Sequence, residues 1–437
     1  MGIIGCLLGF LVVIIFCYKD WSVYIATIVG AAVVMLFNWL PFAGTLTGAF
    51  VDGMFVPIKS FFFILLFGNI QAKIYSVSGA ACAIADTIMS ALLKPGASNT
   101  RKNVIAISVL LVIGIVLCMG GINASVFIVL MYPIALTIFE HCDIPKRFIL
   151  GVLGACSYTF TLTMPGSPQV TNVAAMSALG TDAAVALVPG LVGAAVEIAV
   201  IIVLLNILIN RARARGEHFS LHPLDPHYDE NSPRPHFIVA LLPLVVLFVL
   251  FNVVGMDINI CIIISTALSV IMFKDQLHGS SLRNLLSTGA SESIHMSMTV
   301  AAICGFAGVV TQTEAFTQML DAIISIDISP MLICAIVVAV MCMLTGGSST
   351  GQLISLPLIA PKLTELGLSV GAIHRIGCFA ATTLDSLPYS GAILMLLPLC
   401  RMKLREVYPP LFVTTVVATT CGTAAVIITC ALFPGLT

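Results

Sequence analysis

The segment Met164-Pro-Gly-Ser-Pro-Gln-Val-Thr-Asn172 places two prolines, a glycine and several small polar residues inside an otherwise apolar stretch. A proline lacks a backbone N–H and clashes with the preceding helical turn, so an α-helix cannot continue through Pro165 and Pro168. The flanking residues 152–160 and 173–178 are apolar enough for helices at membrane depth. Free backbone groups are tolerated at that depth only where they line a cavity or are buried in protein. The segment therefore predicts a broken membrane helix.

The composition of the whole chain is that of a polytopic membrane protein. Hydrophobic residues make up 59% of the 437 positions and charged residues only 9%, against about 25% charged in soluble proteins. Apolar windows of about 18 or more residues recur along the chain, and each is long enough to cross a bilayer. The net charge of −1 favours no nucleic-acid partner, and the cysteines show no metal-ligand spacing. We expect an all-α polytopic protein in a lipid bilayer, with no metal and no cofactor besides a coupling ion.

The apolar windows predict about ten transmembrane helices plus two re-entrant hairpins. The predicted helices cover about 2–18, 21–40, 55–76, 146–179, 184–210, 237–252, 258–273, 288–311, 376–399 and 406–433. The predicted hairpins cover about 104–140 and 330–366, and each is pinched at a pair of glycines. The long polar stretch 211–235 is typical of a solvated linker. It divides the chain into an N-terminal repeat, 1–210, and a C-terminal repeat, 236–437.

The distribution of charge predicts the topology. Most of the 19 Lys and Arg residues fall in loops or helix ends on the side of the central linker, with Lys362 and Arg375 as exceptions. Loops on the opposite side carry acids such as Asp52, Asp182 and Asp257. Positive residues concentrate on the cytoplasmic side of membrane proteins. The linker is therefore expected in the cytoplasm and both termini in the periplasm, and each hairpin enters and leaves on one side.

An internal repeat supports this layout. The string Met119-Gly-Gly-Ile-Asn-Ala-Ser125 recurs as Thr345-Gly-Gly-Ser-Ser-Thr-Gly351, and Thr161-Leu-Thr-Met-Pro165 is matched by Thr383-Leu-Asp-Ser-Leu-Pro388. The two halves enter the membrane from opposite sides, which makes them inverted-topology repeats. Paired interrupted segments in two inverted halves indicate the midplane binding site of a secondary transporter.

The two hairpin tips and the two interrupted helices are the four breaks of the chain. They bring amides, hydroxyls and freed backbone groups to the membrane centre with almost no charge. Helix N-termini carry a partial positive charge and aim N–H groups inward, which suits a carboxylate without any arginine. Hydroxyl and amide side chains suit a substrate that is itself hydroxylated. We therefore predict a site for a small organic anion. The candidate substrate-binding residues are Gly120, Gly121, Asn123, Ser125, Gly166, Ser167, Gln169, Thr171, Asn172, Gly346, Gly347, Ser348, Ser349, Thr350, Ser386, Tyr389 and Ser390.

Asp385 is the one acid among these break residues. An ionisable side chain at membrane depth is costly and is a candidate functional residue. Asp385 can carry a coupled proton or coordinate a cation through oxygen together with Thr383; the structural alternative is a cap on the following helix. We predict Asp385 and Thr383 as the coupling-ion residues. Glu197 and Lys59 are expected to face protein or to extend to the interface.

Five strings carry a resemblance to a known family: Gly120-Gly-Ile-Asn-Ala-Ser125, Tyr132-Pro-Ile-Ala-Leu136, Thr161-Leu-Thr-Met-Pro-Gly-Ser-Pro-Gln169, Gly305-Phe-Ala-Gly-Val-Val310 and Leu384-Asp-Ser-Leu-Pro388. Over nearly its whole length the chain resembles the gluconate-type permease (GntP) family of the ion transporter superfamily. The resemblance implies proton-coupled uptake of gluconate or related hydroxy and keto monocarboxylates across a bacterial inner membrane. The superfamily implies homodimers, in which a hairpin-bearing transport domain moves in elevator fashion against a scaffold.

Three functional hypotheses follow, and none is an enzyme, because no nucleophile–base pair is visible at membrane depth. The first is proton-coupled symport of a gluconate-like hydroxy acid or another short monocarboxylate by alternating access. The second is sodium-coupled carboxylate symport, since hairpin carbonyls and hydroxyls also hold sodium. The third is a cation/proton antiporter, in which Asp385 exchanges ions without an organic substrate. The wealth of neutral hydrogen-bonding groups and the scarcity of acids favour a symporter.

Overall fold

A computed structural model describes residues 2–19, 21–92, 96, 98–119, 124–167, 169–222, 225, 234–254, 256–277, 282–318 and 328–437. Every regular element in these ranges is a helix, and the chain is an all-α polytopic membrane protein, as predicted. Within the described ranges, four helices are each long and apolar enough to cross a bilayer: Asn99–Cys118, Leu187–Ala214, Leu282–Thr311 and Leu404–Leu432. A fifth candidate is the pair Leu65–Val77 and Ala80–Leu92, bent by 71°. The other described apolar helices are shorter, so the count of about ten spans stays a prediction.

The first half contains nine principal helices in its described part. They are α1 (Gly2–Tyr18), α2 (Val23–Phe37), α3 (Val51–Val77), α4 (Ala80–Leu92), α5 (Asn99–Met119), α6 (Ala124–Cys142), α7 (Ile149–Tyr158), α8 (Val170–Leu179) and α9 (Leu187–Ala214). Short helical pieces Phe42–Thr45 and Leu46–Phe50, the latter π-helical, lead into α3, and Phe160–Thr163 follows α7.

The second half contains eight principal helices in its described part. They are α10 (Phe237–Asn252), α11 (Ile258–Met272), α12 (Leu282–Thr311), α13 (Pro330–Thr345), α14 (Ser348–Glu365), α15 (Val370–Ala381), α16 (Leu404–Phe412) and α17 (Ala418–Leu432). The short helices Gly391–Leu394 and Leu397–Cys400 lie between α15 and α16, and the π-helical turn Val413–Val417 joins α16 to α17.

Both interrupted regions are visible as helix breaks. The described residues between Thr163 and Val170 are not helical, and the chain leaves helix again between Ala381 and Gly391. The second interrupted region begins at Val370, earlier than the predicted 376, because the Ser369 hydroxyl caps α15 by accepting the Ala372 N–H at 3.1 Å. The division into two inverted repeats stays a prediction.

Helices α13 and α14 form a hairpin around Gly346-Gly347. Gly346 ends α13 with φ +66°, a left-handed conformation that glycine adopts without strain. The two helices then fold back on each other so closely that a Cβ on Gly351 would lie 2.5 Å from the Cys342 backbone nitrogen. The corresponding glycines Gly120 and Gly121, between α5 and α6, lie outside the described residues.

The central polar stretch differs from the predicted solvated linker. Helix α9 continues to Ala214, because Arg213 in its last turn donates to the carbonyl of Asp143 at 3.0 Å and to that of Cys142. Basic side chains also stabilise a helix C-terminus through the helix dipole. Further on, the buried carboxylate of Asp225 pairs with Lys146. The described part of the stretch is therefore docked onto the loop that precedes α7.

Asp143 in that loop anchors the docked stretch. Its carboxylate accepts hydrogen bonds from His218 Nδ1 at 2.8 Å and from the Phe219 N–H at 3.0 Å. Partial burial alone would raise the pKa of the Asp143 carboxyl, but these hydrogen bonds outweigh it and lower the pKa below 3.8. A carboxyl with a lowered folded-state pKa stabilises the fold above its unfolded-state pKa, and the stabilisation disappears as pH falls through the folded-state pKa. The hydrogen bond from the Phe219 N–H to the Asp143 carboxylate is therefore stabilising at neutral pH, and its stabilisation is lost in acid.

Helices α3 and α12 pack through a seam of glycines. A Cβ on Gly53 would lie 2.5 Å from the Cys304 carbonyl oxygen, and a Cβ on Gly308 would lie 2.5 Å from that of Ala49. Small residues let helix backbones approach closely in membranes, where lipid provides no hydrophobic drive for association. The seam joins the N-terminal half to the C-terminal half.

We predict that Gly53→Ala lowers the thermal stability of the purified protein, because the added methyl group pushes α12 away. Overpacking of this kind costs about 1–3 kcal/mol. Gly48→Ala is the matched control: it lies five positions earlier, and no atom lies within 4 Å of its added Cβ. Melting in detergent should separate the two variants, and equal melting temperatures would contradict the described seam.

Candidate functional site

Arg375 is the side chain that organises the first break. It lies on α15, fully buried. One guanidinium nitrogen donates to the Thr163 carbonyl at 2.8 Å and to Asn172 Oδ1 at 3.1 Å. The other terminal nitrogen donates to the carbonyls of Ala183 at 2.9 Å and Val185 at 2.7 Å. The charge distribution placed Arg375 among the outward exceptions, but the structure buries it against backbone that the break has freed.

The loop before α9 completes this arrangement. The Gly166 N–H donates to the Ala183 carbonyl at 2.8 Å. Gly190 on α9 leaves room for Arg375 and its four hydrogen bonds, which we call the clamp, since a Cβ there would lie 2.9 Å from Arg375 Cδ. Buried backbone polar groups almost always find partners. Here a guanidinium supplies them, so the carbonyls of Thr163, Ala183 and Val185 are not available to a ligand in this conformation.

Asn172 also makes all its hydrogen bonds within the protein. Its Oδ1 receives Arg375 and lies 3.2 Å from His374 Nε2. Its Nδ2 donates to the carbonyls of Met164 at 2.8 Å and Ser167 at 3.1 Å. An asparagine amide offers two donor hydrogens and an oxygen with two lone pairs. The amide of Asn172 therefore positions the break, and a ligand would have to displace one of these bonds.

The other polar residues of the first break satisfy freed carbonyls. Ser167 donates to the Thr161 carbonyl at 2.5 Å, Thr171 donates to that of Leu162 at 2.5 Å, and Gln169 Nε2 donates to that of Cys118 at 2.6 Å. All three side chains are buried. Gly166 is exposed and adopts φ +77°.

The first hairpin contributes no described side chain to the site. Gly120, Gly121 and Asn123 lie outside the described residues, and Ser125 is described only as the second residue of α6.

The second break places Asp385 beside the tip of the second hairpin. Ser386 donates to Asp385 Oδ1 at 2.8 Å, and the side chain of Ser348, the first residue of α14, lies next to Asp385. The carboxylate is half-buried. Thr383, its predicted partner, donates to the Ala380 carbonyl at 2.6 Å at the end of α15. The acid is thus surrounded by serine hydroxyls.

Tyr389 ties the second break to the hairpin. Its hydroxyl donates to the Met343 carbonyl, in the last turn of α13, at 2.6 Å, and its ring lies 5.0 Å from that of Phe10. Ser390 is buried and precedes the short helix Gly391–Leu394. The Tyr389 hydroxyl is therefore occupied by a bond to the hairpin in this conformation.

The tip of α14 is more open than the first break. Gly346 and Gly347 precede it, Ser349 is half-buried, and Thr350 is exposed. The backbone N–H groups of the first turn of a helix have no acceptor within the helix. The tip of α14 therefore offers N–H groups and hydroxyls together.

Gln352 is a residue that the sequence did not single out. Its side chain is fully buried on α14, and among the described residues neither its amide oxygen nor its amide nitrogen has a nitrogen or oxygen partner. It lies beside the thiol of Cys378, a weak hydrogen-bonding group, and that thiol lies 3.7 Å from the Thr171 carbonyl oxygen. Gln352 therefore points to where α14, α15 and the start of α8 meet. A buried polar group left in this state is rare in proteins and requires an explanation.

A pattern in the sequence contained the signal for Gln352. Ser348, Gln352 and Ser355 follow one another at i, i+4 and i+7 on α14, and all three are buried. Residues at this spacing share one helix face. The polar face runs from the hairpin tip into the protein, with Ser355 already donating to the Gly351 carbonyl at 2.7 Å.

The helices and the site together define a polytopic membrane protein whose two interrupted helices meet around a polar centre. Helix α8 from the first break packs against α14 and α15 of the second half. The charged groups described at this centre are Asp385 and Arg375. Both terminal nitrogens of Arg375 bond the protein, whereas its Nε has no partner among the described residues.

Comparisons with known proteins give a distant relative. No family model matches the chain. The chain is similar to the uncharacterized transporter YxjC of Bacillus subtilis (strain 168), with 25% identity over 435 residues that cover 89% of each protein. Among solved structures, the Alcanivorax borkumensis YdaH transporter is 13% identical and gives a TM-score of 0.42, over 90% of this chain and 89% of that one. That score is too low to support an argument, and the gluconate-type permease family stays a prediction from the motifs.

We predict that Arg375→Lys destabilises the protein, because one ammonium group cannot reach four acceptors on two sides of the break. Each hydrogen bond lost from a charged donor costs about 1.5–3 kcal/mol. The matched control is Arg405→Lys at an exposed position of α16. Melting temperatures in detergent measure the difference, and an Arg375→Lys variant as stable as the control would show that the clamp is not needed.

Proposed function

We propose that the protein is a secondary active transporter that moves a small organic anion together with a proton. The anion is a gluconate-like hydroxy acid or another short monocarboxylate. The observation that carries the proposal is the unsatisfied Gln352 amide, buried where the second hairpin meets the first break. The transporter name of the Bacillus subtilis relative supports the general class.

The substrate site lies at the tip of α14 and the second break, which both belong to the second half of the chain. The polar side chains of the first break are occupied by the protein, so they position the site. The groups that remain are the Gln352 amide, the side chains of Ser348, Ser349 and Thr350, and the N–H groups of the first turn of α14. Such N–H groups at the positive end of a helix dipole suit a carboxylate. The amide and the hydroxyls suit the substrate hydroxyl groups.

Asp385 couples the proton to the anion. Its carboxylate lies next to Ser348 at the tip, so an ionised Asp385 repels a carboxylate bound there. Protonation removes the repulsion, and the proton and the anion then bind and cross together. An alternating-access cycle that releases both on the cytoplasmic side accumulates the anion at the expense of the proton gradient.

Sodium coupling is the second candidate, and one observation favours it. The oxygens of Asp385, Ser348 and Ser386 are gathered at one point, and hard cations prefer carboxylate and hydroxyl oxygens. The exchange of cations for protons without an organic substrate uses the same carboxylate. Cation/proton exchange gives the unpaired Gln352 amide no ligand to bind, and for that reason we favour symport.

The remaining organisation belongs to the same proposal. Residues 1–210 and 236–437 are inverted repeats of a homodimeric, elevator-type transporter in the bacterial inner membrane. Its linker, 211–235, is cytoplasmic and both termini are periplasmic. The concentration of Lys and Arg on the linker side supports this orientation.

We predict that Asp385→Asn abolishes uptake driven by a pH gradient while substrate binding is retained, because the amide cannot exchange a proton. The control is Asp275→Asn, at an exposed position after α11. Uptake is measured in proteoliposomes with gluconate and lactate as probes, with and without sodium. Unchanged accumulation in the Asp385→Asn variant under a pH gradient would rule out this role, and a strict sodium requirement would replace the proton with sodium.

We predict that Gln352→Leu weakens substrate binding about tenfold or more, equivalent to roughly 1.4 kcal/mol. The same change should leave the melting temperature of the empty protein unchanged or higher, because it removes an unsatisfied buried amide. Ser355→Ala is the control on the same helix face. Thermal shifts across a panel of organic acids measure both effects. A Gln352→Leu variant that is less stable but binds normally would assign Gln352 a structural role instead.

A further inference from the structure

Glu197 is a buried acid that the proposed site does not use. It lies on α9 and is fully buried, and neither carboxyl oxygen has a hydrogen-bond partner among the described residues. The sequence left open whether it faces protein or extends to the interface; the structure buries it inside the protein. Lys59, the other residue in that expectation, is exposed.

The position of Glu197 relates it to the first break. Gly190, Gly193 and Glu197 are three and four residues apart and share one face of α9. Gly190 abuts Pro165 and the Arg375 side chain, and a Cβ on Gly193 would lie 2.6 Å from Phe379 Cε1. Glu197 follows two turns after Gly190, about 10 Å along the helix axis. It therefore lies about two turns along α9 from the Arg375 side chain, against Gly422 of α17.

A notch in α17 receives the carboxyl. A Cβ on Gly422 would lie 2.5 Å from Glu197 Cγ and 2.6 Å from its Oε1. Helices α9 and α17 thus pack tightly around an acid instead of an apolar side chain. Packing alone would favour an apolar residue here, since a buried carboxyl without partners is costly.

Within the described part of the chain, no charged group balances Glu197. Helices α5, α7, α15 and α17 pack against α9. No described ion pair or hydrogen bond joins Glu197 to any of their titratable side chains. These are Arg101, Lys102, Cys118, Cys156, Tyr158, His374, Arg375, Cys378, Cys421 and Cys430. An ionised carboxylate without a partner is strongly disfavoured in such a setting. The carboxyl therefore holds a proton in this conformation.

The helix that faces Glu197 carries hydroxyls that can serve the ionised form. Thr419, one turn before Gly422, donates to the Thr415 carbonyl at 2.6 Å, and Thr423 donates to that of Thr419 at 2.8 Å. These hydroxyls now satisfy carbonyls within their own helix. The π-helical turn Val413–Val417 lies immediately before them, and π-helical turns are frequent at functional sites.

We propose that Glu197 is a second proton-binding residue of the transport cycle, which holds a proton in the described conformation and releases it when movement of α9 against α17 opens the Gly422 notch to water. The proposal rests on the transport function proposed above. Asp385 and Glu197 then carry one proton each. A monocarboxylate that enters with two protons brings one net positive charge, so its uptake responds to the membrane potential.

The first experiment tests the proton directly and needs no substrate. The infrared spectrum of the purified protein at neutral pH should contain the C=O band of protonated carboxylic acids, and Glu197→Gln should remove the contribution of Glu197 from it. Glu365→Gln, at an exposed position of α14, is the control and should leave the band in place. A band of equal intensity in the Glu197→Gln variant would overturn the proposal.

A measurement on the wild-type chain covers the case in which Glu197→Gln does not fold. Dicyclohexylcarbodiimide reacts with protonated carboxyls in apolar surroundings. Peptide mass spectrometry should find the adduct on Glu197 and not on Glu365, with less of it as the pH is raised. Because the proposal requires the notch to open, a Glu197 peptide that stays unmodified would contradict it.

The second experiment tests coupling in proteoliposomes, with gluconate as the probe and a potassium diffusion potential set by valinomycin. The wild type should accumulate more gluconate when the interior is negative. Glu197→Gln should lose at least most of this stimulation while it retains gluconate counterflow. A Glu197→Gln variant that still responds fully to the potential would overturn the role of Glu197. Absence of gluconate uptake by the wild type would instead count against the proposed function, and the infrared result would still decide the protonation of Glu197.

Discussion

The structure depends on one constraint: backbone groups freed inside a membrane protein must find partners. Pro165 and its neighbours end a helix where water is scarce, and the carbonyls left behind would each cost several kcal/mol if unpaired. The guanidinium of Arg375 meets four acceptors at once. Its burial is tolerated because its planar fork of donors is matched by oxygens on both sides of the break. The hydrogen bonds between Arg375 and these oxygens hold α8, α9 and α15 together.

This constraint joins the two halves of the chain. The donor comes from α15 in the second half, and the carbonyls come from the first break and the following loop. Asn172 connects the two by bonding Arg375, His374 and the break itself. The result is asymmetric. The first break is saturated by the protein, whereas the tip of α14 and the second break retain Gln352 and Asp385 with capacity for a ligand. The polar groups of this centre are thus divided between structural hydrogen bonds in the first break and an amide on α14 that is unpaired in the described part of the chain.

Much of the candidate site was predictable as a set of positions, but not as a set of roles. The breaks near Pro165 and Pro388 and the hairpin at Gly346-Gly347 follow from local chemistry, since helix-breaking residues are clustered there. Single prolines such as Pro133 and Pro243 lie inside continuous helices. Asn172, Ser167 and Thr171 were predicted to bind substrate, and the structure shows their polar atoms bonded within the protein. Gln352 was missed because the spacing of Ser348, Gln352 and Ser355 shows only that they share a helix face, not that the glutamine amide is left unpaired. Its importance comes from the absence of a partner among the described residues.

The sequence by itself determined the class of this protein and the places where its helices fail. Hydropathy and the two prolines act within a few residues, so they can be read along the chain. The tertiary structure alone decided which polar groups are satisfied and which remain free. Arg375 and Thr163 are more than two hundred positions apart, as are Glu197 and Gly422. The role of a buried arginine or acid depends on which distant residues the fold places next to it. Local sequence patterns carry no information about those distant neighbours.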